Sequence, residues 1–189
     1  MDEPIVLASA SPRRHELISM IGLSYEVYAP DVDENETGSP DGVVLRLAQR
    51  KARSAAAVYP GRVILAADTL VYAKGEVLGK PRDAADALRM IGLLRDDWHE
   101  VYTGVCVIDR SGREHTGADK TAVRFIPISD DEMRAYVDGG EPFGKAGAYA
   151  IQGMAGMFIS GIEGSYSNVI GLPLHLVKAL LSKADIKLL

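Results

Sequence analysis

The feature of this sequence that most constrains its fold is a junction near the N-terminus. The apolar run Pro4 to Ala8 passes directly into the basic turn Ser9-Ala10-Ser11-Pro12-Arg13-Arg14. The run is typical of a short buried strand. Ser11 followed by Pro12 predicts that a helix begins there, because proline at the first helical position gives up no hydrogen bond. A strand that turns so tightly into a helix is typical of α/β proteins.

The rest of the chain continues this alternation of short apolar runs and helical stripes. Further strands are predicted at 25–29, 63–67, 70–73, 77–78, 101–108, 121–126 and 157–162. Further helices are predicted at 40–59, 84–94, 130–138 and 174–181. Ser129 and Glu132 form a capping box before the third of these helices. Since no repeat or linker interrupts the chain, we expect a single domain over residues 1–189.

Composition excludes several classes of protein. Hydrophobic residues make up 47% and charged residues 25%, which is too apolar for a disordered chain. The net charge of −5 argues against a nucleic-acid groove, although it leaves room for a small basic pocket. Cys106 is the single cysteine, so neither an intrachain disulfide nor a cysteine-based zinc site is possible, and we expect it to be buried.

The N-terminus predicts a soluble cytoplasmic protein without a membrane partner. Asp2 and Glu3 stand where a signal peptide would carry positive charge. The apolar run that follows is far too short to span a bilayer.

The basic turn is a candidate phosphate cradle. A helix N-terminus presents free N–H groups and a partial positive charge. With the hydroxyls of Ser9 and Ser11 and the guanidinium groups of Arg13 and Arg14, it could bind an anion. The alternative is that Ser11 only caps the helix and both arginines are solvated. Two arginines at a helix start oppose the dipole, and a bound anion would offset that cost.

Two acidic segments could hold a divalent metal. Asp68 directly follows the apolar run 63–67, and strand ends are where α/β proteins place catalytic groups. The loop Asp31-Val32-Asp33-Glu34 could complete a metal site with it. The alternatives are a turn-capping aspartate and a solvated loop.

Two lysines and one glutamine complete the candidate residues. Lys51 falls on the apolar stripe of its helix, where a lysine is costly unless it meets an anion. Lys80, between a glycine and a proline, has a fixed backbone. Gln152 could hydrogen-bond a base edge, and Gly153 and Gly156 would let a ligand approach the backbone. Surface lysines and plain turns are the alternatives.

Together these motifs resemble the Maf family of nucleotide pyrophosphatases. The matching segments are LASASPRR, DVDE, RLAQRKA, AADT, LGKP, HEVYTGV, KAGAYAIQG and GSYSNVIGLPL, which run from Leu7 to Leu174. The resemblance implies an α/β fold like that of inosine triphosphate pyrophosphatases. That fold has a long bent mixed sheet flanked by helices and two lobes with an active-site cleft. The resemblance also implies a homodimer.

The resemblance implies a reaction and roles for the candidate residues. A nucleoside triphosphate would be hydrolysed between its α and β phosphates, with Asp68 as proton acceptor. Glu34 and Asp68 would hold Mg²⁺ or Mn²⁺. The substrate-binding residues would be Ser9, Arg13, Arg14, Lys51, Thr69, Lys80 and Gln152.

The family divides by base preference, and the division can be read in this sequence. Members that hydrolyse dTTP and UTP carry SPRR, ADT and IQG. A second group has a Trp before the arginines, a Gln after the Asp and a Glu near the Gln152 position, and it prefers 7-methyl-GTP. Arg13, Thr69 and Gln152 match the first group.

Two rival functions come from other classes of protein. One is a binding protein that senses nucleotides or inhibits septum formation through a partner, without turnover in that role. The other is a nucleic-acid-binding module. The acidic net charge and the lack of an aromatic-basic stripe both disfavour it.

Overall fold

The computed structural model describes residues 3–188, so Asp2 of the signal-peptide argument lies outside it. The strands are β1 (Ile5–Ala8), β2 (Tyr25–Tyr28), β3 (Ile64–Ala73), β4 (Glu76–Leu78), β5 (Trp98–Ile108), β6 (Glu114–Phe125) and β7 (Ile159–Glu163). The helices are α1 (Pro12–Met20), α2 (Pro40–Val58), α3 (Ala84–Leu94), α4 (Asp130–Asp138), α5 (Tyr166–Ile170) and α6 (Leu174–Lys183). Between residues 3 and 188 no helix combines the length and the apolar character needed to cross a membrane.

The strands form one mixed sheet, which confirms the predicted fold class. Their order is β2-β1-β3-β5-β6-β7, and β4 pairs with β3. β1 runs parallel to both of its neighbours, whereas the β3–β4 and β6–β7 pairs are antiparallel. The predicted hairpin between β3 and β4 is present, with positive φ angles of 50° at Lys74 and 84° at Gly75. Such angles at both central residues suit the twist of a hairpin.

The backbone contacts divide the chain into two compact units. The first unit contains the chain up to Asp68, Thr103–Asp119 and the chain from Gly171 onward. The second unit contains Thr69–Tyr102 and Lys120–Ile170. Strands β3, β5 and β6 each contribute residues to both units.

The core of the first unit is built from small residues on one face of α2. Ala48, Ala52 and Ala55 pack on strand residues that include Ile64 and Ala66. Helix and sheet come so close that a Cβ at Gly104 of β5 would overlap the backbone of Val44 and Leu45. Cys106 is buried in this core as predicted, and burial raises the pKa of its thiol to about 12.

The core of the second unit is larger and aromatic. Phe125 packs edge-on against His99 and Tyr149, with ring centroids 5.0 and 5.1 Å apart. Helices α3 and α4 contribute Met90, Ile91, Leu94, Met133, Tyr136 and Val137. The predicted capping box at Ser129 and Glu132 begins α4.

Several of the predicted boundaries were wrong. Strands β5 and β6 begin at Trp98 and Glu114, whereas the predicted strands began at 101 and 121. Residues 64–73 form one continuous strand, so Asp68 lies within β3 and does not end a strand. The strand predicted from Met157 begins at Ile159, because Met154–Phe158 forms a 3₁₀ helix. Helix α5 was not predicted.

Candidate functional site

The turn between β1 and α1 is held by side chains of its own segment. The Ser9 hydroxyl oxygen accepts a hydrogen bond from the Ser11 amide at 3.2 Å and one from Arg14 Nη1 at 3.3 Å. His15 Nε2 lies 2.9 Å from the Ser9 carbonyl oxygen. Ser11 stands at the N-cap position, but its side chain makes no capping hydrogen bond. Ser9, rather than Ser11, is therefore the serine that orders this turn.

Arg14 is a buried cation tied to a distant part of the chain. Its Nε donates to the Gly171 carbonyl oxygen at 2.8 Å, in addition to the contact with Ser9. Desolvation by burial lowers the pKa of Arg14; the negative charge of Asp68 opposes that shift, Arg13 reinforces it and Glu34 opposes it. The half-buried Arg13 thus lies within electrostatic range of the same group. The predicted phosphate cradle therefore contains a cationic side chain, Arg14, that hydrogen bonds hold in one position.

A second charged group joins α2, β3 and the loop after β2. Lys51 Nζ donates to Asp68 Oδ1 at 2.5 Å and lies 2.6 Å from Glu34 Oε1. The side chains of Lys51 and Asp68 are 11% and 14% exposed, whereas that of Glu34 is 50% exposed. The predicted proximity of Glu34 and Asp68 is therefore present, and the anion that Lys51 meets here is this pair of carboxylates.

The periodicities of strand and helix explain this convergence. Side chains alternate along a strand, so Ile64, Ala66 and Asp68 point to the face that α2 covers. Lys51 belongs to the buried stripe of α2, adjacent to Ala52. Strand β1 pairs with β3 only as far as Ala66, so Asp68 lies just beyond the end of β1.

The loop that carries Glu34 is fastened to α2 by residues that sequence reasoning missed. Arg46 Nε lies 2.8 Å from Glu36 Oε2, and Arg46 Nη2 donates to the Thr37 carbonyl oxygen at 2.7 Å. Arg50 donates to the Glu36 carboxylate and to the Asp33 carbonyl oxygen. The signal available in the sequence was two arginines spaced four apart on α2, which share one helix face.

The remaining predicted residues belong to the second unit. Thr69 is half-buried and follows Asp68 in β3. Lys80 is exposed; beside it Pro81 is buried, and the Gly79 carbonyl oxygen accepts a hydrogen bond from the Gly147 amide at 3.0 Å. Gln152 is exposed in a turn closed by the Gly153 amide and the Ala150 carbonyl oxygen, 3.0 Å apart.

That Gly153 and Gly156 let a ligand approach the backbone stays a prediction, but the space that a side chain would take at each glycine is filled by the protein itself. A Cβ at Gly153 would lie 2.5 Å from a carboxylate oxygen of Glu141, and one at Gly156 would lie 2.9 Å from the Ile151 carbonyl oxygen. Parts of the protein itself approach these glycines. Glu141 is a further residue that the motifs did not single out.

The carboxylates near Lys51 are the oxygen donors available to a divalent cation. Among the described residues no group of three or more His, Cys, Asp or Glu side chains could hold a metal ion. Mg²⁺ commonly uses one or two carboxylates, and water and substrate phosphates complete its shell. Glu34 and Asp68 form such a pair, and the cationic ammonium of Lys51 already lies against both of them. The oxygen donors therefore fit a cation that is bound together with a substrate.

Comparisons with known proteins identify relatives of this chain. The sequence matches the family described as Maf-like protein over residues 4–184. A dTTP/UTP pyrophosphatase of Symbiobacterium thermophilum is 48% identical over 175 residues, which cover 92% of this chain and 90% of that protein. One from an Anaeromyxobacter species is 51% identical over 186 residues, which cover 95% and 89% of the two chains.

The fold has a counterpart among solved structures. The Staphylococcus aureus Ham1 protein aligns over 96% of this chain and 99% of its own, with a TM-score of 0.55. Its sequence identity is 15%, so the likeness is one of fold alone. Because a match to the family extends over almost the whole sequence, and relatives at about half identity share it, the chain belongs to the Maf family.

Proposed function

We propose that this protein hydrolyses dTTP and UTP to the nucleoside monophosphate and pyrophosphate. The observation that carries the proposal is the Asp68 carboxylate, hydrogen-bonded to Lys51 beside the cationic turn of Ser9 and Arg14. A proton acceptor next to an anion-binding turn suits attack of water on a phosphate. The relatives named dTTP/UTP pyrophosphatase support the choice of substrate.

In the proposed reaction Asp68 takes a proton from the attacking water. The water oxygen bonds to the α-phosphorus, and the bond from that phosphorus to the α–β bridging oxygen breaks. Pyrophosphate leaves with the electron pair. Lys51 holds the Asp68 carboxylate in one orientation, which matters because phosphoryl transfer depends mainly on positioning and charge stabilisation.

A divalent cation, Mg²⁺ or Mn²⁺, is proposed to be held by Glu34 and Asp68. When bound, it supplies charge neutralisation on the phosphate oxygens. The Glu36 contacts with Arg46 and Arg50 support this role, because they order the loop that carries Glu34.

The other candidate residues divide between the phosphates and the base. Arg13, Arg14, Lys51 and Lys80 are proposed to clamp the polyphosphate, with the hydroxyl of Ser9 ordering the turn. The pyrimidine preference is proposed to depend on Arg13, Thr69 and Gln152. A site whose hydrogen-bonding groups are left unpaired by the wrong base rejects that base strongly.

The reaction is tested by the Asp68→Asn variant. Asparagine keeps the shape of the side chain but cannot accept the proton, so we expect turnover to fall at least about a thousandfold. Pyrophosphate release from dTTP in the presence of Mg²⁺ is the measurement. Asp96→Asn is the matched control, because Asp96 is an exposed aspartate paired with Arg124, and it should keep full activity.

Near-native turnover by Asp68→Asn would contradict the mechanism.

A panel of dTTP, UTP, CTP and 7-methyl-GTP tests the base preference with the same readout. Preference for 7-methyl-GTP would contradict the pyrimidine assignment. Binding of dTTP by the wild-type protein without pyrophosphate release would favour a nucleotide-binding role instead.

A further inference from the structure

Glu141 closes the turn that carries Gln152. Its Oε2 accepts a hydrogen bond from the Met154 amide at 2.7 Å, and its Oε1 accepts one from the Ala155 amide at 3.2 Å. These amides begin the 3₁₀ helix Met154–Phe158, which directly follows Gln152 and Gly153. One carboxylate therefore satisfies two backbone donors of the segment that leaves the turn.

Glu141 is itself held in place from two sides. The Tyr136 hydroxyl lies 3.1 Å from Glu141 Oε1 and 3.2 Å from the Ala148 carbonyl oxygen. Burial raises the pKa of Tyr136, and the Glu141 charge adds to that shift, so the hydroxyl keeps its proton and can donate. The Lys145 ammonium donates to the Glu141 carbonyl oxygen at 2.5 Å.

The turn packs tightly against this carboxylate at Gly153. A Cβ at this position would lie 2.5 to 2.6 Å from the carboxylate atoms of Glu141. The φ angle of Gly153 is −109°, which any residue can adopt, so the backbone conformation does not require glycine. A methyl group here would instead have to displace the neighbouring carboxylate.

We propose that Glu141 is a positioning residue for base recognition, which orients Gln152 through the turn that both of its carboxylate oxygens close. The inference rests on the proposed function, in which Gln152 contacts the base. Glu141 makes its contacts with residues of the second unit, whereas Asp68 and its partners Lys51 and Glu34 belong to the first. Its removal therefore affects discrimination between bases, and the chemical step is retained.

The test is Glu141→Gln, assayed with UTP and CTP. The variant replaces one carboxylate oxygen by an NH₂ group, which faces a donor and so releases one end of the turn. We expect KM for UTP to rise about tenfold and the UTP-to-CTP ratio of kcat/KM to fall by a similar factor, the effect of one lost hydrogen bond. The value of kcat should stay within about twofold of wild type.

Glu132→Gln is the matched control. Glu132 also accepts a backbone hydrogen bond at a helix start, from the Ser129 amide at 2.8 Å, but its carboxylate bonds Ser129 and not the Gln152 turn. This variant makes the same chemical change at a backbone-binding carboxylate, and it should leave the ratio between substrates unchanged.

A second variant, Gly153→Ala, keeps Glu141 and displaces its carboxylate. It should reproduce the loss of discrimination. The double variant Glu141→Ala/Gly153→Ala should be less impaired than the sum of the two single changes, because removing the carboxylate makes room for the new methyl group.

Three outcomes decide the inference. An unchanged UTP-to-CTP ratio in Glu141→Gln, or an equal fall in kcat for every substrate, would overturn it. Additive effects of the Glu141 and Gly153 substitutions would do the same. If the wild-type protein releases no pyrophosphate from UTP, the proposed function fails, and this result is distinct from an active wild type whose variants keep their discrimination.

Discussion

His99 shows how a single buried side chain couples this fold to pH. The residue is 2% exposed, and its Nε2 lies 2.8 Å from the Tyr149 hydroxyl oxygen. Its Nδ1 is buried without a hydrogen-bond partner among the described residues. An unpaired acceptor is less costly than an unpaired donor, so we assign the proton to Nε2. Burial lowers the pKa of His99 to about 4, which means that the folded protein holds a neutral ring.

We expect the protein to lose stability as the pH falls below the unfolded-state pKa of histidine, about 6.5. Between that value and about 4 the unfolded chain binds a proton that the folded chain does not, so stability rises with pH there. Between about pH 7.5 and about pH 5 the loss attributable to His99 is about 2 kcal/mol. Urea unfolding of wild type and His99→Gln at both pH values measures it.

Glutamine can still pair with Tyr149 but does not titrate, so the variant should lose about 2 kcal/mol less than wild type on acidification. The three other histidines are present in both proteins, so any contribution from them cancels in the comparison. Identical pH dependence in the two proteins would show that His99 is not the group responsible.

At the scale of secondary-structure elements, the critical contact is that of α2 with β5. The helix brings Lys51 to Asp68, and it can lie so close to the sheet because its inner face carries alanines and β5 carries Gly104. The spacing between helix and sheet therefore determines whether the Lys51 ammonium reaches the carboxylate.

Gly104→Ala tests this contact. The added methyl group meets the backbone of Val44, which cannot move aside as a flexible side chain would, so we expect about 1–3 kcal/mol of destabilisation. Chemical unfolding is the measurement. Gly92→Ala is the matched control: Gly92 lies in α3 with no neighbour within 4 Å of the added carbon, and alanine there should stabilise the helix slightly. Equal stability of the two variants would contradict the close approach.

Local patterns predicted those elements whose signals are local. Pro12, the capping box at Ser129 and the Lys74-Gly75 turn lie where the sequence predicted them. The polar pair Asp68 and Thr69 predicted the end of a strand. The strand continues because β3 finds a further partner in β4 after β1 has ended, and such pairing is invisible in a local window.

The candidate site was predictable to the same extent. The turn at Ser9 and the burial of Lys51 followed from local rules. The bridge from Lys51 to Asp68 spans 17 residues, and Glu141 reaches 13 residues to Met154, so neither contact has a signature in periodicity or spacing. The sequence singled out Gly153 because glycine lets another group approach the backbone. Only the folded chain shows that the Glu141 carboxylate is such a group.

At the scale of the whole molecule, we expect activity to depend on a divalent cation, whereas folding should not depend on one. Only two carboxylates are proposed as its ligands, and Lys51 already offsets part of their charge in the described structure. Treatment with a chelator should abolish pyrophosphate release and shift the melting temperature by no more than about 1 °C. Activity should return when Mg²⁺ is added. A large fall in melting temperature would instead indicate a structural metal.

The homodimer implied by the family remains a proposal at this scale. Light scattering coupled to size-exclusion chromatography measures the mass directly against the 20.3 kDa of one chain.

The hydrogen bond from Arg14 to Gly171 has a consequence for the order in which the chain is made. The two residues are 157 positions apart, and the donor belongs to α1, which is synthesised long before Gly171. The basic turn therefore cannot complete its own support until Gly171 has been synthesised. Until then the Arg14 side chain, which is buried in the folded protein, stays in water. A nascent chain halted before residue 171 would carry both arginines of the turn and still lack the carbonyl oxygen that anchors Arg14.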